Sequence, residues 1–138
     1  MSISGGASID LAAQVEKTFS AMTAGDMTAL GNLLAEDVTY HLTGNHHFSG
    51  KYQGRDEITA LLSGVNSAFE DGITYTANRF IVAGDSVVAA FVGTGVTRQG
   101  KDYRNDYCAI WDFNEKGEIA QITEYFDSDH VVSLLAPR

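Results

Sequence analysis

Apolar residues recur every three or four positions in the first half of this chain and every second position in much of the second half. Leu11, Val15, Thr18, Phe19 and Met22 keep helical spacing and form one stripe to bury. Ser8 can cap that helix, with Asp10 in its first turn, and Gly25 ends it. Asp26 caps a shorter second helix that turns Met27, Leu30, Leu33 and Leu34 inward. Residues 38–43 read as a strand, and 44–54 as a loop holding three glycines and two histidines. Asp56 opens a third helix with Ile58, Leu61, Leu62, Val65 and Phe69 on one face. After Gly72 the pattern becomes β-branched and aromatic: residues 73–83, 86–97, 103–114 and 118–127 read as strands. The turns between them, around Gly84, Gly100 and Gly117, are hairpin-sized and predict an antiparallel meander. Helices followed by a meander indicate an α+β fold, with the helices on one face of a curved sheet.

Composition narrows the choices. With 138 residues the chain is expected to be a single domain, 1–138, with a real core. Its net charge of −9 and scattered basic residues exclude nucleic acid and anionic membrane as expected partners. The acidity itself reads as a solubility feature. The longest apolar run, 87–92, is strand-sized, far below the roughly 20 residues of a membrane span. Residues 1–8 lack the basic start and apolar stretch of a secretory signal. Cys108 is the one cysteine, so no internal disulfide can form, and a cytoplasmic setting is expected.

Four segments then carry a resemblance. Ala24-Gly25-Asp26, Ala35-Glu36-Asp37-Val38-Thr39-Tyr40, Tyr52-Gln53-Gly54-Arg55-Asp56, and Gly117-Glu118-Ile119 with Glu124-Tyr125-Phe126-Asp127 stand in order over about residues 8–135. Together they resemble the nuclear-transport-factor-2-like superfamily, in its SnoaL-like and ketosteroid-isomerase-like branch. The resemblance implies a cone: a curved antiparallel sheet wrapped around three N-terminal helices. It does not fix a chemistry. By register, the three steroid-isomerase roles fall on Thr18, Leu42 and Ala109, which cannot move protons as that mechanism needs. Of the limonene epoxide hydrolase set, Tyr40 and Glu124 match, but Leu42, Phe91 and Gly93 do not. The SnoaL-like cyclases rely on one acid near the end of the last strand, and Glu124 resembles it.

Glu124 is therefore the first candidate. Strand parity puts it on one face with Ala120, Ile122 and Phe126, where apolar neighbours would raise its pKa toward acid–base work. Asp106 is the second, on the partner strand, sharing a face with Cys108 and Ile110 that the resemblance turns toward the pocket. The opposite face, Tyr103, Tyr107, Ala109, Trp111 and Phe113, is the more apolar and is the rival lining. Left outside, its aromatic stripe of Tyr107, Trp111 and Phe113 would call for a homodimer. Tyr40, next to Leu42 on the first strand, could donate to a substrate oxygen. Among His41, His46 and His47 no ligand spacing supports a metal, whereas a loop histidine such as His47 could act at the pocket mouth. His130 and Cys108 read as structural, and the glycines as turn residues rather than a phosphate cradle. The leading expectation is a cofactor-independent, metal-free enzyme that moves protons on a small apolar carbonyl or ring compound. Glu124, Asp106 and Tyr40 would be its catalytic groups, and Leu42, Cys108, Ile110, Ile122, Phe126 and His47 its substrate contacts. The alternative is a non-catalytic ligand-binding or dimeric accessory module.

Overall fold

In the computed structural model, residues 10–46 and 48–129 are described. Helix α1 spans Leu11–Ala24 and buries Leu11, Val15, Thr18 and Phe19 on one side. Its cap is Asp10, whose carboxylate accepts from the Ala13 amide at 3.1 Å; the expected cap, Ser8, lies outside the described residues. Gly25 closes the helix at φ 71°, a left-handed turn that a side chain disfavours. Asp26 caps α2 (Met27–Leu33) by accepting from the Ala29 amide at 3.0 Å.

The first strand, β1, spans Leu34–Leu42 and starts earlier than its β-branched residues suggested. Part of the expected loop is a short strand, β2 (Gly50–Gln53), paired antiparallel with β1. Helix α3 (Arg55–Ser67) follows, with Asp56 and Glu57 in its first turn, where their charges suit the helix dipole. The Arg55 guanidinium donates to the Leu34 carbonyl at 2.9 Å and 3.3 Å, tying α3 to the start of β1. The meander is β3 (Thr74–Ala83), β4 (Ser86–Val96), β5 (Asp102–Phe113) and β6 (Ile119–Phe126).

The six strands form one sheet in the order β2-β1-β6-β5-β4-β3. The α+β class, with three helices on the concave side of a curved, unclosed sheet, is as expected. One pairing is not antiparallel: β1 runs parallel to β6, with Tyr40 beside Ile122 and Leu42 beside Glu124. A parallel neighbour requires a long crossover, and here everything from β2 to β5 serves as one. The main core lies between α1, α2 and the middle of the sheet, where Val15, Leu30, Val38, Ile58, Val87 and Ile119 are fully enclosed. A second, smaller cluster of Phe69, Ile73 and Tyr103 closes the other end.

Candidate functional site

The cavity lies between the helices and the concave sheet face, because the helices cover only part of that face. Its helical wall is Met22 from α1, with Leu61, Leu62 and Val65 from α3. Its sheet wall is Tyr40 and Leu42 from β1, Glu124 and Phe126 from β6, and Tyr103 and Tyr107 from β5. Phe48, Phe69, Ile73 and Tyr75 complete it around about 610 Å³ of space, its open mouth included. A second chamber, about 360 Å³ with its open side included, reaches toward Phe19, Leu34, Phe91, Trp111 and Ile122. Tyr40, Glu124, Met22 and Leu62 line both chambers, so Glu124 stands at their junction. Gly93 helps to make the room: a Cβ there would come within 2.9 Å of the Tyr107 ring and 3.3 Å of the Tyr75 ring.

Among the described residues, Glu124 is the one carboxylate that lines these chambers. Burial pushes its carboxyl up to about 7, while a hydrogen bond donated by Tyr40 pulls the other way. Desolvation therefore dominates, and the group is close to half-ionised near neutral pH. Tyr40 is raised well above its ordinary value, first by burial, then by the charge of Glu124 and the hydrogen bond to it. Two bonds fix the backbone of Glu124: its carbonyl accepts from the Thr43 hydroxyl at 2.8 Å and the Thr43 amide at 3.2 Å.

The opposite end of the cavity carries hydroxyls. Tyr103 and Tyr107 hydrogen-bond each other through their phenol oxygens. Asn105, only 2% exposed, donates to the Tyr103 hydroxyl at 3.1 Å. Asn105 is itself held by both backbone groups of Asp127, at 3.0 and 3.3 Å. Burial raises Tyr75, Tyr103 and Tyr107 above their ordinary range, so all three remain neutral hydroxyls at physiological pH.

Four expected contacts line the chambers: Tyr40, Leu42, Ile122 and Phe126, around Glu124. Three do not. Asp106, Cys108 and Ile110 point away from the helices, on the convex face. Asp106 is 75% exposed by side chain, with Arg104 at 3.4 Å. The reason is the burial of the rival face: Tyr103, Ala109, Trp111 and Phe113 go inside, where they remove more apolar area from water. The aromatic stripe is thus cavity wall and core, and cannot be a dimer surface. Asp106 also has no register with Glu124, whose partner across the hairpin is Ala109. The histidines divide. His41 is on the side of β1 away from Tyr40. The His46 Nδ1 accepts from the Phe48 amide, so its Nε2 donates to the Thr43 carbonyl, each at 3.1 Å. Both ring nitrogens are used in shaping the loop. His47 and His130 lie outside the described residues. Among the described residues no three His, Cys, Asp or Glu gather as metal ligands.

The sequence reading missed Tyr75 as a chamber residue and held Tyr103, Tyr107 and Trp111 only as the rival lining. The signal was present in the alternation of residues 103–113, whose apolar side is the larger. Two of the vacant steroid-isomerase positions flank Glu124. It pairs in register with Leu42 on one side and Ala109 on the other. The carboxylate occupies the strand between those two places.

The chain matches the model of the SnoaL-like domain over residues 15–122. An uncharacterized protein of Mycobacterium tuberculosis (strain H37Rv) is 30% identical over 114 residues, 81% of this chain and 85% of that one. Among solved structures, a hypothetical protein with a ketosteroid isomerase-like fold from Catenulispora acidiphila, in complex with trimethylamine, superposes with TM-score 0.76. It is 22% identical, and the match covers 88% of this chain and 90% of that one. TerC, co-crystallized with polyporic acid, gives TM-score 0.79 at 18% identity, covering 92% of this chain and 98% of that one. At these identities the two structures are similar in fold.

Proposed function

This chain belongs to the SnoaL-like domain family, and from that premise we propose a cofactor-independent enzyme that moves a proton on a small apolar carbonyl or ring compound. The observation that carries the reading is one carboxylate at the junction of two apolar chambers, held near half-ionisation and hydrogen-bonded by Tyr40. A base with a pKa near the working pH combines a populated basic form with useful basicity. Glu124 takes or returns the proton, and Tyr40 orients it. Leu42, Ile122 and Phe126 hold the apolar body. The tyrosines at the far end supply neutral donors for substrate oxygens. TerC and the Catenulispora protein, each solved with a small molecule, support a ligand role for this fold. Asp106, on the convex face, takes no part.

The test needs no knowledge of the natural substrate. A nitrobenzisoxazole is a flat apolar ring that opens when a base removes its ring C–H: the proton passes to the base, and the N–O bond breaks to give a coloured phenolate. The protein is expected to accelerate this opening, with a rate that rises with pH through about 7 as Glu124 ionises. A rate equal to that of free carboxylate in solution would overturn the reading.

We also infer a homodimer, now through the convex face. Ile81, Val88 and Ile110 stand in register across three strands there, beside a second row of Ala90, Cys108 and Tyr125. Ile81 is 48% and Tyr125 50% exposed, more than a lone surface residue of that kind needs explaining but consistent with one shared patch. Light scattering should give twice the 14.9 kDa chain mass; a monomer at micromolar concentration would refute the dimer. No described helix is long and apolar enough to cross a membrane. The proposed setting is the cytoplasm, where the exposed Cys108 thiol would stay reduced.

A further inference from the structure

Tyr75 is half-buried on β3, and its side chain turns inward to line the first, larger chamber. Its ring centre lies 6.0 Å from that of Tyr107 and 6.1 Å from that of Phe91. Its partner on β4 is Gly93, where a Cβ would come within 3.3 Å of the ring, so the missing side chain is what lets Tyr75 and Tyr107 converge over one strand. The phenol oxygen of Tyr75 has no hydrogen-bond partner among the described residues. It is not sealed in, either: among those residues the one sealed side-chain polar atom without a partner is the Trp111 indole nitrogen. The three other tyrosines of the chamber are engaged. Tyr103 and Tyr107 bond each other, and Tyr40 donates to Glu124. Burial raises Tyr75 far above its ordinary value and the charge of Glu124 raises it further, so Tyr75 keeps its proton and the two groups feel each other within the chamber. A hydroxyl in apolar surroundings forgoes the hydrogen bonds that water would give it. Pockets keep a few such groups because they orient what binds.

We propose that Tyr75 is the residue by which the cavity recognises a carbonyl: its O–H donates to a neutral carbonyl oxygen of a ligand whose apolar body lies along the chamber walls between Tyr75 and Glu124. The inference rests on the reading of the cavity as a site for a small apolar compound, but not on Glu124 being the base. It narrows the choice between carbonyl and plain ring compounds to the carbonyl ones. A phenol offers one proton and no charge, which suits a ketone, aldehyde or ester. A carboxylate or phenolate would place a second negative charge in the same low-dielectric space as Glu124.

The probes are α-tetralone, a fused-ring ketone, and tetralin, the same rings without the oxygen. The readout is the carbonyl stretch of bound α-tetralone, isolated by comparing the ordinary ketone with one that carries a heavy-carbon label on its carbonyl. It is recorded well above about pH 7, where Glu124 is ionised and offers no proton. The stretch should fall below its position in a hydrocarbon solvent. Tyr75→Phe should return it to that position and weaken α-tetralone binding by about threefold to tenfold, the scale of one net hydrogen bond. Tetralin affinity should not change, and Tyr107→Phe should leave the stretch shifted. A stretch that stays shifted in Tyr75→Phe, or that is never shifted in the unaltered protein, overturns the carbonyl subsite; tetralin binding then leaves the apolar cavity standing. If neither probe binds, the subsite and the reading of the cavity fall together. Should Tyr75→Phe fail to fold, Tyr107→Phe decides, since loss of the shift there would give the donor's role to Tyr107 instead.

Discussion

The β5–β6 hairpin carries carboxylates on both of its faces, and Glu124 and Asp106 make the contrast plain. Glu124 faces the helices, among Leu42, Ile122 and Phe126, with a tyrosine hydroxyl upon it. Asp106 faces outward, largely exposed, with Arg104 on a neighbouring exposed side chain. Chemically the groups differ by one methylene. Their surroundings differ in everything that governs proton transfer: water, dielectric and neighbours. At Asp106, solvent screens the charge and a surface ion pair adds little. At Glu124, burial holds the proton until about pH 7. What separates a reactive carboxylate from a solubilising one here is strand parity, which sends alternate side chains to opposite faces.

The strongest way to break this comparison is to neutralise each group in turn. Glu124→Gln is expected to slow proton transfer from the nitrobenzisoxazole by roughly 100-fold or more, the usual scale for losing a general base. Asp106→Asn should leave the rate as it was. Comparable losses from both variants would show that face does not decide function.

Stability against pH sharpens it next. Glu124 titrates near 4.5 when unfolded and about 7 when folded, so between those values the folded state binds more protons. The unaltered protein should therefore lose stability as pH rises from about 4.5 to about 7 on this account, with no further change above. Glu124→Gln escapes that loss. Because Glu124 keeps some accessible surface toward the cavity, the gain at pH 8 should be about 1–2 kcal/mol, with little difference at pH 4. Thermal melts at the two pH values read it directly. A variant that melts lower at both would mean that the carboxylate is a structural hydrogen-bond partner.

The smallest effect is the most specific. Tyr40 lowers the Glu124 pKa by hydrogen bonding to its charged form. Tyr40→Phe should move the midpoint of the pH–rate profile above 7 and slow the reaction a few-fold at neutral pH, with the plateau at high pH largely retained. A midpoint that stays in place would remove Tyr40 from the base's immediate surroundings.

Much of this architecture could be read from residue order. The helical stripes, the turn glycines and the alternation after Gly72 each report local geometry, which neighbouring residues determine. Glu124 and Tyr40 were legible for the same reason, since the parity of one strand suffices to group each with its apolar neighbours. The orientation of β5 was harder. Both faces of residues 103–113 carry apolar side chains, and the resemblance turns Asp106 inward against the larger aromatic face. Burial of Tyr103, Trp111 and Phe113 decided the matter, and that is a sum over the whole core. The parallel pairing of β1 with β6 lay beyond any local pattern, because nothing within residues 34–42 records which distant strand will lie alongside.

That parallel pair also sets an order of events during synthesis. Thr43 and Glu124, bonded twice, are 81 residues apart, and all of β2 to β5 lies between them. While the chain is emerging, β1 has only β2 for a neighbour, and its other edge is open. Closing so long a loop is slow and is rewarded only at its end. The helices and the meander from β3 to β5 can form from contacts close in sequence. Tyr40 and Glu124 can meet only when β6 has cleared the ribosome and slid in between β1 and β5, so a chain ending just before Ile119 would lack the site while still carrying most of the elements that surround it.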